Sequence, residues 1–196
     1  MKIILATRNP GKIQEMRQLL AGLPVDLISA ADLETAPDVA ESADTLEGNA
    51  LKKAETLHRM TGLPTLADDT GLEVAALDGQ PGVHSARYAG PTATDRDNRE
   101  KLLRMLNGVD NRAARFRTVI AYIDDEGVHT FEGLCAGTIS HEERGEGGFG
   151  YDPIFVPEGS TQTFAEMSAL EKNQISHRGG ALREFQAYLR ERLETP

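Results

Sequence analysis

Short apolar runs alternate with longer amphipathic stretches in the first third of the chain. Residues 2–6 form an apolar run that predicts a buried strand, and residues 10–21 carry apolar side chains at helical spacing. A second strand is predicted at residues 25–29. A second helix is predicted at residues 46–61, with Thr45 as its cap. Strands and helices that alternate in this order are typical of α/β proteins.

The rest of the chain adds strands that fit an antiparallel arrangement. Residues 65–68 predict a strand that runs into an Asp-Asp-Thr-Gly turn, and a further strand is expected at residues 72–75. Two long strands, residues 115–124 and 128–140, are joined by a tight turn and predict a hairpin. A helix at residues 175–193 closes the chain. We therefore expect a mixed, elongated central sheet flanked by helices. We expect one domain over residues 1–196, with two lobes and an active-site cleft between them.

The charge of the chain limits its partners. Lys and Arg number 21 against 31 Asp and Glu, which gives a formal net charge of −10. Such a surface repels nucleic acid and anionic membranes at long range, so we expect neither as a partner. A polyanionic ligand would need a local basic cluster or a divalent cation. The single cysteine, Cys135, excludes an internal disulfide and is consistent with a cytoplasmic protein.

The first candidate site follows the first predicted strand. The run Thr7-Arg8-Asn9-Pro10-Gly11-Lys12 combines a hydroxyl, an amide and an ammonium group at a helix start. Free N–H groups and the helix dipole attract phosphate at such a position. The run lacks the first Gly and the final Ser/Thr of the P-loop pattern. An ordinary strand–turn–helix corner is the alternative interpretation.

A second candidate site is acidic. Asp69 follows the predicted strand at residues 65–68, and Glu41 lies in an acidic segment before the second helix. Mg²⁺ bound to phosphates usually takes one or two protein carboxylates, which these two residues would supply. The alternative is that Asp69-Thr70-Gly71 is only a turn capped by its Asp. An aspartic protease is excluded, because the chain has neither a second such triplet nor an all-β pattern.

Two segments near the C-terminus are candidates for ligand contact. Four glycines in residues 145–153 surround Phe149 and Tyr151, and aromatic rings in such a loop could stack on a flat ring, with Asp152 as a hydrogen-bond acceptor. A flexible surface loop is the alternative. Lys172, His177 and Arg178 form a cationic cluster, for which a solvated helix start is the alternative. Lys52 and Lys53 are interpreted as solvated charges on the second helix, with contact between one of them and phosphate as the alternative.

Taken together, the motifs resemble those of the inosine/xanthosine triphosphate pyrophosphatase family. They span nearly the whole chain in the order Thr-x-Asn-x-Gly-Lys at residues 7–12, Ala-Asp-Asp-Thr-Gly-Leu at 67–72, Pro-Gly-Val-His-Ser-Ala-Arg-Tyr at 81–88, Gly-Gly-Phe-Gly-Tyr-Asp-Pro at 147–153 and Ile-Ser-His-Arg-Gly at 175–179. The resemblance implies Mg²⁺-dependent hydrolysis of ITP, dITP and XTP to the monophosphate and pyrophosphate. It also implies a homodimer.

The resemblance also implies roles for individual residues. Glu41 and Asp69 would hold Mg²⁺, and Asp69 would be the general base. Phe149 would stack on the base, Lys172 would bind phosphate, and His177 with Arg178 would reach the base. The implied substrate-binding residues are Thr7, Arg8, Asn9, Pro10, Gly11, Lys12, Thr70, Phe149, Gly150, Tyr151, Asp152, Lys172, His177 and Arg178.

Gly48 departs from the family pattern, since many members carry an acid directly before the Asn-Ala of the second helix. Glu47 is displaced by one residue, so a metal role is not assigned to it. Two other functions remain open from the sequence. One is a pyrophosphatase for other modified nucleotides, and the other is a nucleotide-binding protein without catalysis.

Overall fold

A computed structural model describes residues 1–194 of the chain. Over these residues the α/β class is confirmed. The elements, in chain order, are β1 (Lys2–Leu5), α1 (Pro10–Leu19), β2 (Asp26–Ser29), α2 (Leu46–Thr61), β3 (Thr65–Val74), β4 (Pro81–Gly82), α3 (Asp95–Met105), β5 (Ala113–Asp124), β6 (Gly127–Ile139), β7 (Phe155–Pro157), α4 (Ala169–Ile175) and α5 (His177–Glu194), with short 3-10 helices between several of them.

Within the described residues, seven strands form one mixed sheet. The strand order is β2-β1-β3-β5-β6-β7, and β4 pairs with β3. β1 is parallel to both neighbours, so that Ile4 lies opposite Ile28 on β2 and Thr65 on β3. The β3–β4 and β6–β7 pairs are antiparallel. The mixed sheet predicted from the sequence is therefore confirmed.

The chain divides into two compact units, and the division falls within β3, β5 and β6 and after the first residue of α5. Unit 1 comprises residues 1–69, 118–133 and those from 178 onward, and unit 2 comprises residues 70–117 and 134–177. Each unit buries its own apolar cluster. The cluster of unit 1 contains Ile3, Leu5, Met16, Leu20, Leu66, Ile120, Tyr122, Leu182 and Phe185. The cluster of unit 2 contains Leu72, Val74, Leu102, Leu106, Phe116, Ile139, Ile154, Phe155 and Phe164.

The predicted turn at residues 68–71 is wrong, because β3 runs without a break from Thr65 to Val74. The strand can continue because β4 pairs with it directly beyond the acidic residues, with Leu72 opposite Gly82. Gly71 makes this close approach possible. A Cβ at Gly71 would lie 2.7 Å from the carbonyl oxygen of Gly82, where no side chain fits.

The helix predicted at residues 175–193 is present as α5, His177–Glu194, but the short helix α4, Ala169–Ile175, that precedes it was not predicted. α4 is capped by Ser168, whose hydroxyl accepts a hydrogen bond from the N–H of Glu171. Ser176 has extended backbone (φ −71°, ψ 156°) and separates α4 from α5. Thr94 is the N-cap of α3, and its hydroxyl accepts a hydrogen bond from the N–H of Asp97. In residues 1–194 none of the helices has the length and apolarity that a membrane span requires.

Candidate active site

The corner between β1 and α1 is the strand–turn–helix that the sequence predicts. The side chain of Asn9 caps α1 by accepting a hydrogen bond from the N–H of Lys12 over 3.1 Å. The hydroxyl of Thr7 accepts a hydrogen bond from the N–H of Asn9. Pro10 opens the helix, where its missing N–H leaves no bond unmade. The corner places Lys12 one turn into α1, and its role in phosphate binding stays a prediction.

Lys12 belongs to a buried network of charges in unit 1. Its ammonium lies 3.1 Å from both oxygens of Asp68, a residue only 1 % exposed. The guanidinium of Arg178 donates to the same carboxylate through Nε and Nη2, over 3.1 and 3.0 Å. Arg178 also donates to Glu15 on α1 through Nη1. One carboxylate of β3 therefore joins the first and last helices of the chain.

The charges in this network shift one another's proton affinity. Burial alone would raise the pKa of the Asp68 carboxyl, but Lys12 and Arg178 outweigh burial and hold that pKa well below its usual range. Burial lowers the pKa of Lys12, and Asp68 opposes this effect only in part. Arg178 is only 2 % exposed, and its predicted contact with the base stays a prediction.

α2 places a second group of charges beside Asp69. The ammonium of Lys53 lies 2.7 Å from Glu41 and 3.0 Å from Asp69, so one cation joins the two predicted metal ligands. Asn49, one helical turn before Lys53, donates to the other oxygen of Asp69 over 3.2 Å. Both oxygens of the Asp69 carboxylate therefore have fixed partners on α2.

This environment changes the proton affinity of the predicted general base. Burial raises the pKa of Asp69, and the negative charge of Glu41 adds to that rise while Lys53 opposes it. Burial alone would lower the pKa of Lys53, but the negative charges of Asp69, Asp68 and Glu41 outweigh burial and raise that pKa. A carboxylate whose pKa is raised binds a proton more readily, which suits a general base.

The acidic segment before α2 is held in place by the same helix. Lys52 donates to the carbonyl oxygen of Ala40 over 2.9 Å and to the hydroxyl of Ser42 over 2.8 Å. Asn49 accepts a hydrogen bond from the N–H of Ala43. These bonds fix the backbone on both sides of Glu41 and so set the position of its carboxylate.

The residues present are consistent with a Mg²⁺ site completed by the substrate. Glu41 and Asp69 supply carboxylate oxygens, the ligand type that Mg²⁺ prefers. Across residues 1–194, however, no group of three or more His, Cys, Asp or Glu side chains is arranged to hold a metal ion. Mg²⁺ would therefore need water and phosphate oxygens as its remaining ligands, as is common for Mg²⁺ in nucleotide-binding sites.

Unit 2 contains a separate buried cluster around Asp152. The carboxylate of Asp152 accepts a hydrogen bond from the N–H of Phe149 over 2.8 Å and one from the ammonium of Lys172 over 2.6 Å. The Lys172 ammonium also lies 4.8 Å from the centre of the Phe149 ring, within the range of a cation–π contact. The Gly-rich segment is thus anchored to α4, which argues against the alternative of a flexible surface loop.

Two glycines make this arrangement possible. Gly148 has φ +71°, and a Cβ there would lie 2.8 Å from Cγ of Asp152. The Asp152 carboxylate therefore occupies the space that a side chain at position 148 would need. Gly150 likewise has a positive φ, of +61°.

Other predicted site residues of unit 2 have structural partners. Tyr151 is buried, and its hydroxyl donates to the carbonyl oxygen of Ser85 over 2.8 Å. The ring of His177 is stacked on Phe116, with 4.4 Å between ring centres. Thr70 is half-buried on β3. The interpretation of residues 172–178 as a solvated helix start is wrong, since Lys172, His177 and Arg178 are all buried.

Sequence reasoning missed three residues of the polar networks around Asp68 and Asp69. Lys53 was interpreted as a solvated charge but is buried, and Asn49 was not assigned a role. Their spacing of four residues places them on one face of α2 and could have indicated a shared partner. Glu15 likewise follows Lys12 by three residues on α1. Only the fold, however, brings Asp68 and Arg178 to the side of α1 that carries Lys12 and Glu15.

Comparison with known proteins gives a consistent result. The model of the Ham1 family matches residues 3–188 of the chain. A dITP/XTP pyrophosphatase of Porphyromonas gingivalis is 54% identical over 189 residues, which cover 96% of this chain and 97% of the relative. One from Thermoanaerobacter sp. is 47% identical over 196 residues and covers 99% of each chain.

Solved structures agree with these sequence matches. The Ham1 protein of Staphylococcus aureus superposes with a TM-score of 0.88 at 38% identity, covering 98% of this chain and all of the other. A HAM1 protein from Coxiella burnetii gives the same TM-score at 42% identity, covering 97% of this chain and 99% of that one. The fold described above is therefore the one these proteins share.

Proposed function

The chain belongs to the Ham1 family, and on this premise we propose that it is a dITP/XTP pyrophosphatase that hydrolyses dITP, XTP and ITP to the monophosphate and pyrophosphate. The observation that carries the proposal is the pair of carboxylates formed by half-buried Glu41 and buried Asp69, which the ammonium of Lys53 joins. Similarity over almost the full length to curated dITP/XTP pyrophosphatases supports the proposed substrates.

We assign the phosphate chemistry to unit 1. The Thr7–Lys12 corner offers the positive end of the α1 dipole and the Lys12 cation to the triphosphate, and Lys53 adds a second cation. Glu41 and Asp69 would hold Mg²⁺. When bound, Mg²⁺ neutralises negative charge on the phosphate oxygens. In a protein of net charge −10, these few cations would offset the repulsion of a polyanion.

Asp69 orients the attacking water, either directly as the acceptor of its proton or through the metal, and these two roles are alternatives because a carboxylate bound to Mg²⁺ is a weak base. The water oxygen forms a bond to the α-phosphorus, the bond from the α-phosphorus to the bridging oxygen breaks, and pyrophosphate leaves. Asn49 and Lys53 hold the two oxygens of Asp69, so its direction is set before the substrate binds. Positioning of this kind contributes much of the rate in such reactions.

We assign recognition of the nucleoside to residues of unit 2. Phe149 offers a ring face for the base, supported by the Lys172 ammonium and by Asp152. The proposed contacts of Gly150, Tyr151, His177 and Thr70 follow from the resemblance alone. A protein–nucleobase stack on an aromatic ring contributes about 1–3 kcal/mol in proteins that bind nucleic acids.

A panel of nucleoside triphosphates tests the proposal. Released pyrophosphate and orthophosphate are measured separately for dITP, XTP, ITP, dATP, dGTP and a set of modified pyrimidine triphosphates, each with Mg²⁺ and with a chelator. We expect pyrophosphate from dITP, XTP and ITP only, and only with Mg²⁺. Orthophosphate as the first product, or preference for another class of nucleotide, would contradict the proposal. Tight binding of dITP without hydrolysis would instead indicate a nucleotide-binding protein.

We also propose a homodimer, as the family resemblance implies. Sedimentation of the purified protein at several concentrations measures its mass directly. A species of twice the chain mass of 21.3 kDa is expected, and a monomer at all concentrations would contradict it. A cytoplasmic location is likewise proposed, consistent with a single buried cysteine.

A further inference from the structure

Gly150 is held by α3 through both of its backbone polar groups. Its N–H donates to Oδ2 of Asp95 over 2.8 Å, and its carbonyl oxygen accepts from Nη1 of Arg99 over 2.8 Å. Asp95 and Arg99 are four residues apart, so they lie on the same face of the helix. α3 therefore fixes both peptide groups that flank Gly150, whose φ is positive.

Arg99 also holds the other end of the same segment. Its Nε lies 3.0 Å from Oε1 of Glu143, and its Nη2 donates to Oε2 of Glu143 over 3.1 Å. The Nη2 contact is a charge-assisted hydrogen bond, whereas Nε has no hydrogen-bond partner among the described residues, so one directed bond and a close ionic contact hold the pair. The Arg99 side chain is only 13% exposed, which reduces screening by solvent. A single guanidinium thus ties residues 143 and 150, the two ends of what we call the Phe149 loop.

Phe149 lies between these two anchors and next to Gly150. Because glycine has little conformational restriction of its own, rotation at Gly150 would move the Phe149 ring unless the neighbouring peptides were held. Asp152 holds Phe149 itself, since its carboxylate accepts from the N–H of Phe149 and its own N–H donates to the carbonyl oxygen of Phe149 over 3.2 Å. The two hydrogen bonds from α3 add a restraint on the next residue, Gly150.

We propose that Asp95 and Arg99 are positioning residues that hold the Phe149 loop in its base-binding conformation. This inference rests on the proposed function, in which Phe149 stacks on the purine. A preorganised loop loses less entropy when the ligand binds, so the restraint acts on substrate affinity. The restraint does not change the rate of the bond-breaking step at the phosphates.

Arg99→Ala tests this inference in the full-length protein with dITP and Mg²⁺. We expect KM to rise about tenfold, the size of one lost charge-assisted hydrogen bond, and kcat to stay within about twofold. Arg96→Ala is the matched control, because Arg96 is on the same helix and pairs with exposed Glu100. The control is expected to keep the KM of the parent.

Asp95 provides a second test that separates the hydrogen bond from helix stability. Asp95→Asn keeps an oxygen that can accept from Gly150, whereas Asp95→Ala does not. Both variants lose the negative charge in the first turn of α3, so their difference reports on the acceptor alone. We expect KM to rise more in Asp95→Ala than in Asp95→Asn. If Arg99→Ala does not fold, the comparison of these two variants tests the positioning role.

The possible outcomes are distinguishable. An unchanged KM in Arg99→Ala, an equal change in Arg96→Ala, a loss confined to kcat, or equal KM values in the two Asp95 variants would overturn the positioning role. These results count against the positioning role alone, provided that the parent protein releases pyrophosphate from dITP. A parent protein without that activity would instead contradict the proposed function.

Discussion

The ammonium of Lys53 lies 3.0 Å from the carboxylate of Asp69, and both side chains are buried. The same ammonium is 2.7 Å from Glu41, so it separates two negative charges that would otherwise repel each other. Removal of this cation is therefore expected to lower the stability of the protein without substrate as well as to weaken the binding of substrate. A buried pair that loses one partner typically destabilises a protein by about 3–5 kcal/mol.

Lys53→Met is expected to reduce the free energy of unfolding by about 3 kcal/mol, since it leaves the Asp69 carboxylate without its cation. Lys52→Met, at the neighbouring position, is the matched control. Lys52 bonds to Ala40 and Ser42 and to no carboxylate among these contacts, so a loss of about 1 kcal/mol is expected. Urea unfolding measures both values. Equal losses in the two variants would contradict the structural role assigned to Lys53.

Asp69→Asn is expected to lower kcat for dITP by about 10²–10⁴-fold, the range for loss of a general base. The substitution preserves volume and keeps one oxygen that can accept a hydrogen bond from Lys53. Circular dichroism should therefore match that of the parent protein. Pyrophosphate release is the measurement, and activity near that of the parent in a folded Asp69→Asn variant would remove Asp69 from its proposed role.

Phe149→Ala is expected to raise KM for dITP about tenfold, with a smaller change in kcat, because the base loses its stacking surface. Phe149→Tyr is the comparison variant, since it keeps an aromatic ring, and its KM should stay close to that of the parent. Steady-state kinetics on both variants measure the contrast. Equal KM values for the Ala and Tyr variants would argue against stacking.

Asp68 is expected to make stability depend on pH. Its pKa in the folded protein is held below the ordinary value of 3.8, so the folded state binds fewer protons than the unfolded state. The stabilisation from Asp68 is complete above the unfolded pKa and is lost as the pH falls below about 4 toward the folded pKa.

The measurement for Asp68 is urea unfolding between pH 3 and pH 7 without added metal. The difference in unfolding free energy between the parent and Asp68→Asn should be greatest near neutral pH and shrink toward pH 3. Asp26→Asn, at an exposed position of β2, is the control and should differ from the parent by less than about 0.5 kcal/mol throughout. A gap that is constant with pH would contradict the ionic role of Asp68.

Local patterns predicted the elements of the fold well where one signal dominated. The apolar run of β1 and the Asn9-Pro10 cap were enough to predict the corner that carries Lys12. Helical spacing predicted α2 with its observed bounds, Leu46–Thr61. Such signals depend only on residues close in sequence, which is why they can be interpreted without knowledge of the fold.

Partners distant in sequence could not be predicted in the same way. The polar residues at 68–71 suggested a turn, but β4 and the buried cations of unit 1 allow β3 to continue through them. Arg178 meets Asp68 across 110 residues, and no spacing rule connects them. The positions at which the chain passes from one unit to the other could not be predicted either, because they lie within three strands and at the start of α5 and not in a linker.

Gly148 has a consequence for engineering the base preference of this protein. Any side chain introduced at position 148 would push away the Asp152 carboxylate, which accepts the hydrogen bonds from Phe149 and Lys172. Libraries that randomise position 148 would mostly yield misfolded loops, whatever nucleotide is used for selection. Diversity is better placed on exposed loop residues such as Glu146, where a new side chain extends into solvent.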